Sequence, residues 1–179
     1  MDDYDPGRFH DNQIHGIAFR TADPDEGDWT SELVLDIDHI VEWIKVDAGV
    51  RFRVQPADLI FHDVTDLRLR LDGVMDGFSV AIALPWILQI DREPAPSPSL
   101  GEAPGAAKGQ GPAALPLRPE LGAPGSGVGR YRWSVVLSST PSGEIQFGAS
   151  GYTLALRGKA VVQDEQGLQR DQRAAPASE

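Results

Sequence analysis

Glu32-Leu33-Val34-Leu35-Asp36-Ile37-Asp38-His39-Ile40-Val41-Glu42-Trp43-Ile44 is the stretch whose reading decides the fold. At period two, Leu33, Leu35, Ile37, Val41 and Trp43 share one face, against Glu32, Asp36, Asp38 and Glu42. At helical spacing, Leu33, Ile37, Ile40, Val41 and Ile44 also make a stripe. The alternating acids and the β-branched residues favour a strand.

The flanking sequence repeats the same pattern. Ile17 and Phe19 alternate with Ala18 and Arg20, and Phe52 and Val54 with Arg51 and Arg53. Leu67, Leu69 and Leu71 alternate with Asp66, Arg68, Arg70 and Asp72. Val80, Ile82 and Leu84 form another set, in a run where Pro85 marks a bulge, a break or an edge. Tyr131, Trp133, Val135 and Leu137 follow, then Ile145 and Phe147, then Tyr152, Leu154 and Leu156. About seven to nine short strands separated by turn signals predict an antiparallel β-sandwich or open barrel.

Residues 93–129 break the pattern. Eight Pro and eight Gly fall among them, and Leu100, Leu115, Leu117, Leu121 and Val128 are the only large apolar side chains. Such a segment buries too little surface to offset the entropy of ordering it, so a long disordered loop is expected. Loop closure costs only about 0.6 kcal/mol per doubling of length, so one sheet tolerates the insertion. The expected organisation is a single β domain over 1–162, interrupted at 93–129. A polar C-terminal tail, 163–179, is expected to fray, with a short helix possible over Asp164 to Arg173.

Composition removes several classes of function. No cysteine is present, which excludes disulfides, thiolate-bound zinc, iron–sulfur clusters and thiol nucleophiles. The acidic start Met1-Asp2-Asp3-Tyr4-Asp5 is not a secretory signal, and no apolar run is long enough to span a bilayer. A cytoplasmic protein of bacterial type, without membrane association, is expected. The net charge of −11 is concentrated in residues 1–92, where nineteen acidic side chains face eight basic ones. Phosphate backbones are repelled by such a half, which argues against nucleic acid, whereas a basic protein partner is attracted. No cofactor motif is present: there is no phosphate-binding glycine loop and no zinc spacing among His10, His15, His39 and His62.

The candidate polar residues are His10, Asp11, Asp36, Asp38, His62 and Asp63. Phe9-His10-Asp11 and Phe61-His62-Asp63 repeat one tripeptide. A His–Asp pair can orient a general base, but strand neighbours point to opposite faces, so a dyad needs partners from two strands. Asp36 and Asp38 share a face, with His39 on the other; they could bind a hard cation or form the solvated side of a strand. Asp23-Pro24-Asp25-Glu26-Gly27-Asp28 fails the calcium-loop pattern and reads as an acidic hairpin turn. Of the four tryptophans, Trp43 and Trp133 lie on apolar faces and read as core, while Trp29 follows the acidic turn.

Four segments carry a family resemblance: Phe9 to Ile17, Asp28 to Asp38, Phe61 to Leu67 and Ile145 to Tyr152. They resemble a bacterial family of unknown function and, more loosely, are similar to small β proteins of the toxin-immunity type. The resemblance implies a β fold and brings no site residues. The expectation is a non-enzymatic soluble binding protein, of immunity type, that uses its acidic N-terminal half. The alternatives are a structural or oligomeric β module whose edge near Pro85 pairs with another chain, and a small hydrolase or metal-dependent enzyme using the His and Asp residues.

Overall fold

The computed structural model describes residues 4–47, 49–71, 74–75, 78–79, 85–95, 130–138 and 143–173. Eleven strands lie among them. They are β1 (Gln13–Arg20), β2 (Glu32–Val46), β3 (Gly49–His62), β4 (Thr65–Leu71), β5 (Val74–Met75), β6 (Phe78–Ser79), β7 (Trp86–Pro94), β8 (Tyr131–Ser138), β9 (Gly143–Ala149), β10 (Gly151–Leu156) and β11 (Val161–Gln163). The ambiguous stretch at 32–46 is therefore a strand.

One antiparallel sheet runs in the order β10-β3-β2-β1-β7-β8-β9-β4, and β11 pairs with the start of β3 beyond β10. β5 and β6 form a separate two-stranded pair. The large sheet turns a corner between β1 and β7, which share the single register pair Gln13–Trp86. At its other side β3 runs on into β4 through Asp63 and Val64, and β9 into β10 through Ser150. Each of these chain passes thus serves both halves of the sheet, and the sheet curls over one core. Ile37, Leu59 and Phe61 from one half meet Ile87, Trp133, Val135 and Phe147 from the other. Phe61 marks the contact, 4.7 Å from Phe147 and 5.1 Å from Trp133 between ring centroids. This is the sandwich or open-barrel architecture that the alternation predicts.

The N-terminal segment fastens onto this core. Pro6–Phe9 is a 3₁₀ turn capped by Asp5, whose Oδ1 accepts from Gly7 N, and it drops Phe9 into the interior. Tyr4 donates to Ile90 O and lies edge-on to Trp133, with the Arg92 guanidinium 4.2 Å from its ring centre.

Two expectations are corrected here. Trp133 is core, but Trp43 is 51% exposed and Val41 is 44% exposed. The register of β2 on β3 slips between Ile40 and Glu42, so Val41 is the extra residue of a β-bulge. Beyond it Trp43 no longer belongs to the interior set Leu33, Leu35 and Ile37; it packs against Phe52 on the projecting end of the β2–β3 hairpin. The tail also departs from expectation as far as Arg173. β11 pairs with β3 and Leu168 is buried against Ile40, Phe52 and Val54, whereas the short helix expected as an option over Asp164 to Arg173 is there as one turn, Arg170–Arg173. Residues 163–173 form a strap across the outer face of β2 and β3.

Pro85 is buried and stands just before β7, where its carbonyl accepts from Ile14 N. The Val80–Leu84 set lies outside the described residues, as does the expected disordered loop from residue 96 onward. Glu93 and Pro94 belong to the β7–β8 ladder, and Ala95 N donates to Arg130 O, so the strands on either side of that segment are paired to each other.

Candidate functional site

Asp36 on β2 stands directly opposite Asp58 on β3, and Asp38 lies two residues further along β2. Like charges opposite each other in a sheet destabilise the pairing unless they are neutralised. Two arginines do this. Arg157, placed by its N–H bond to Pro56 O at the end of β10, reaches Asp36 with one guanidinium nitrogen and Asp58 with another at 3.4 Å. Arg173, at the end of the strap, bonds to both Asp36 and Asp38.

Asp38 is completely buried. Its Oδ2 accepts from Leu168 N at 2.7 Å and from His15 Nε2 at 2.8 Å. His15 can reach it because β1 is bulged between Ile14 and Gly16, which re-aims that one side chain. Burial, and then the Arg173 guanidinium, hold the His15 imidazole below its usual range, so at neutral pH it supplies an N–H and not a charge. The carboxylate is saturated by donors from β1 and the strap. Among the described residues no group of three His, Asp or Glu side chains stands in metal-binding geometry. The cluster is built to hold the strap down.

The repeated tripeptide has a structural explanation. Phe9 and Phe61 are both core residues, and Asp11 and Asp63 both adopt positive φ, 63° and 54°. Asp tolerates that region better than most residues because its short polar side chain bonds locally. Each segment therefore buries its Phe and then breaks direction at its Asp. His10 contacts Asp11 at 3.2 Å on an exposed surface. His62 instead bridges Glu32 at 3.2 Å and Thr153 at 2.8 Å, while Asp63 accepts from Ser150 Oγ at 2.7 Å. Of the six candidate residues, Asp36 and Asp38 share Arg173, and His62 and Asp63 share Ser150, through the His62 carbonyl and the Asp63 carboxylate. No hydrogen bond or ion pair joins the two His-Asp segments to each other or to Asp36 and Asp38.

On the inner side of β2, His39 is buried beside Asn12. Asn12 Oδ1 accepts from Ile40 N at 3.0 Å, and its Nδ2 lies 3.0 Å from His39 Nδ1. Burial, and secondarily Arg8, push His39 down to about 4.

The acidic turn connects β1 and β2. Asp23 and Asp28 form an isolated bridge around the 3₁₀ turn Pro24–Glu26, and Gly27 supplies the positive φ, 77°, that closes it. Asp28 Oδ1 accepts from Thr30 N at 2.8 Å and Thr30 Oγ1 at 2.6 Å, which lowers its carboxyl below the usual range. Asp23, Asp25, Glu26 and Asp28 make no ion pair with any Lys or Arg among the described residues, in contrast to Asp36, Asp38 and Asp58.

Sequence reasoning missed His15, Asp58, Arg157 and Arg173. One bulge, the return of the chain at the end of β10 and a strap set their meeting, and none of these leaves a local pattern. No family model, curated protein or solved structure matches this chain, so what it does has to be argued from these residues.

Proposed function

We propose that the chain is a non-enzymatic binding protein that engages a basic protein partner through the acidic turn Asp23–Asp28. The observation that supports this is the uneven neutralisation of its acids. Carboxylates on β2 and β3 are matched by Arg157 and Arg173, whereas the four in the turn are exposed with no ion pair to a Lys or Arg among the described residues. Uncompensated charge on a projecting turn accelerates encounter with a basic surface and makes it salt-sensitive. Covering a basic site on another protein is the behaviour expected of an immunity-type protein.

The test compares wild type with Asp23→Asn/Asp25→Asn/Glu26→Gln/Asp28→Asn in pull-downs at low salt. A basic protein that wild type retains, that salt releases and that the variant fails to retain supports the reading. Identical retention by both proteins removes it. A second reading, an oligomeric β module, is favoured by β7. Beyond Ile87 this strand pairs with β8 alone among the described residues, and Leu88 is exposed. Light scattering at high concentration separates the two readings: a monomer counts against the second.

A further inference from the structure

A cavity of about 320 Å³ opens between the 3₁₀ turn, the bulged part of β2 and β10. Ile40, Val41, Trp43, Leu154 and Leu156 give it an apolar side. Val41, Trp43 and Leu156 each remain more than two-fifths exposed, so a ligand seated there would cover apolar surface that the fold leaves in water. The volume lies at the lower end of the range for small-molecule pockets.

Its polar groups fix the sign of the ligand. Arg8 lines the cavity and has no carboxylate partner among the described residues. Of the two acids three residues away, Asp5 has Oδ1 committed to Gly7 N and Asp11 has Oδ1 3.2 Å from His10 Nδ1. The second polar group is His39, and its tautomer follows from its neighbours. Ile40 N is a donor, so the Asn12 atom facing it is the carbonyl oxygen, as assigned. Asn12 Nδ2 therefore donates to His39 Nδ1, which must be the unprotonated nitrogen. The proton of the neutral ring lies on Nε2. Among the described residues that atom has no hydrogen-bond partner; it is not sealed from solvent, and His39 lines the cavity. His39 is 5% exposed as a whole residue, while its Nε2–H keeps contact with solvent and is open to whatever enters. Desolvation keeps the ring neutral, as its lowered pKa of about 4 records.

We propose that this pocket binds a small carboxylate with an apolar body, the carboxylate between the Arg8 guanidinium and His39 Nε2–H and the body against Trp43 and Leu156. The lining side chains offer donors alone, at Arg8, His39 and the Trp43 indole, and no side-chain acceptor, which calls for an acceptor-only group; guanidinium–carboxylate pairing is the strong form of such a contact. A cationic ligand of the same shape would meet Arg8 as a like charge. This site is independent of the acidic turn and of any protein partner there.

The probe is octanoate, with octylamine and acetate as charge and body controls. Titration of the whole chain by calorimetry and by ¹H–¹⁵N correlation of the histidine rings reads the binding. Saturable octanoate binding that shifts His39 Nε2, with octylamine and acetate showing none, is the expected result. Arg8→Gln, on an exposed side chain that does not endanger folding, should weaken octanoate roughly tenfold or more. Trp43→Ala should weaken it as well. The proposal is overturned if wild type shows no saturation by ~10 mM, far weaker than a site with a charged anchor warrants. It is equally overturned if octanoate and octylamine bind alike, or if Arg8→Gln leaves affinity unchanged.

Discussion

Asp36, Asp38 and Asp58 lie on adjacent strands, and Asp23, Asp25, Glu26 and Asp28 lie in the turn at one end of β2. In composition the two groups are alike. In the folded chain they are opposites: one is matched by two guanidinium groups and, at Asp38, fully buried, while the other is exposed with no ion-pair partner among the described residues. The difference lies in where the chain returns. Arg157 and Arg173 come back more than a hundred residues later to the sheet face and not to the turn. The sheet-face acids therefore serve the fold, and the turn acids are left to act on something else.

The largest effect should come from the buried side of this contrast. Asp38→Ala leaves the Arg173 guanidinium, the Leu168 N–H and the His15 N–H without their acceptor. Breaking such a buried pair from one side costs about 3–5 kcal/mol, read as a fall in the urea midpoint. The double variant Asp38→Asn/Arg173→Met should cost less than the sum of its two single changes, because neither partner is then left charged and alone. Additive losses would show that the pair is not coupled.

Next in size is a pH effect from the inner side of the same strand. His39 has an ordinary pKa of 6.5 when unfolded and about 4 when folded. The folded state therefore takes up its proton later than the unfolded state as pH falls. Stability from this group is full above pH 6.5 and is lost between about 6.5 and 4. The total is about 3 kcal/mol, at 1.36 kcal/mol per pKa unit. His15, also lowered, adds in the same direction. Unfolding free energies at pH 7 and pH 4.5 for wild type and His39→Gln isolate the effect. The wild type should lose more on acidification than the variant, and parallel losses would count against it.

These two groups also show what the amino-acid order reveals and what it hides. Leu33, Leu35 and Ile37 alternate with acids, and that alternation alone places β2 and its interior face. The same holds for Trp133, Val135 and Leu137, and for Ile145 and Phe147. Alternation carries no marker for an inserted residue, so the bulge at Val41 placed Trp43 inside when it is outside. The bulge at His15 likewise hid the partner of Asp38. The strap failed to register for another reason. Residues 163–173 are polar, and a polar segment reads as solvated unless the acids waiting for Arg173 are already known to be buried. Asp11 and Asp63, read as halves of possible dyads, are direction changes with positive φ, for which Asp is chosen locally.

A smaller effect is expected from the segment between β7 and β8. Because Ala95 and Arg130 are already hydrogen-bonded, replacing residues 96–129 with a short turn joins paired strands, whereas joining Glu93 to Gly129 would cut into the ladder. Shortening the connection about eightfold, three doublings, lowers the closure cost by at most roughly 1.8 kcal/mol, so the midpoint should rise or hold. A loss of cooperative unfolding would mean that the segment contributes to the core.

The smallest change in stability should come from the acidic turn, where the largest change in binding is expected. Asp23→Asn/Asp25→Asn/Glu26→Gln/Asp28→Asn alters charge on exposed side chains that have no ion-pair partner among the described residues. Asn retains an oxygen that can accept from Thr30 as Asp28 does. Exposed substitutions of this kind usually stay within about 0.5 kcal/mol each, and relief of mutual repulsion offsets part of any loss. Urea midpoints that differ from wild type no more than this, together with loss of the salt-sensitive partner, would separate the turn from the fold. A large drop in the midpoint would instead make the turn acids structural, like Asp38, and the contrast between the two groups would collapse.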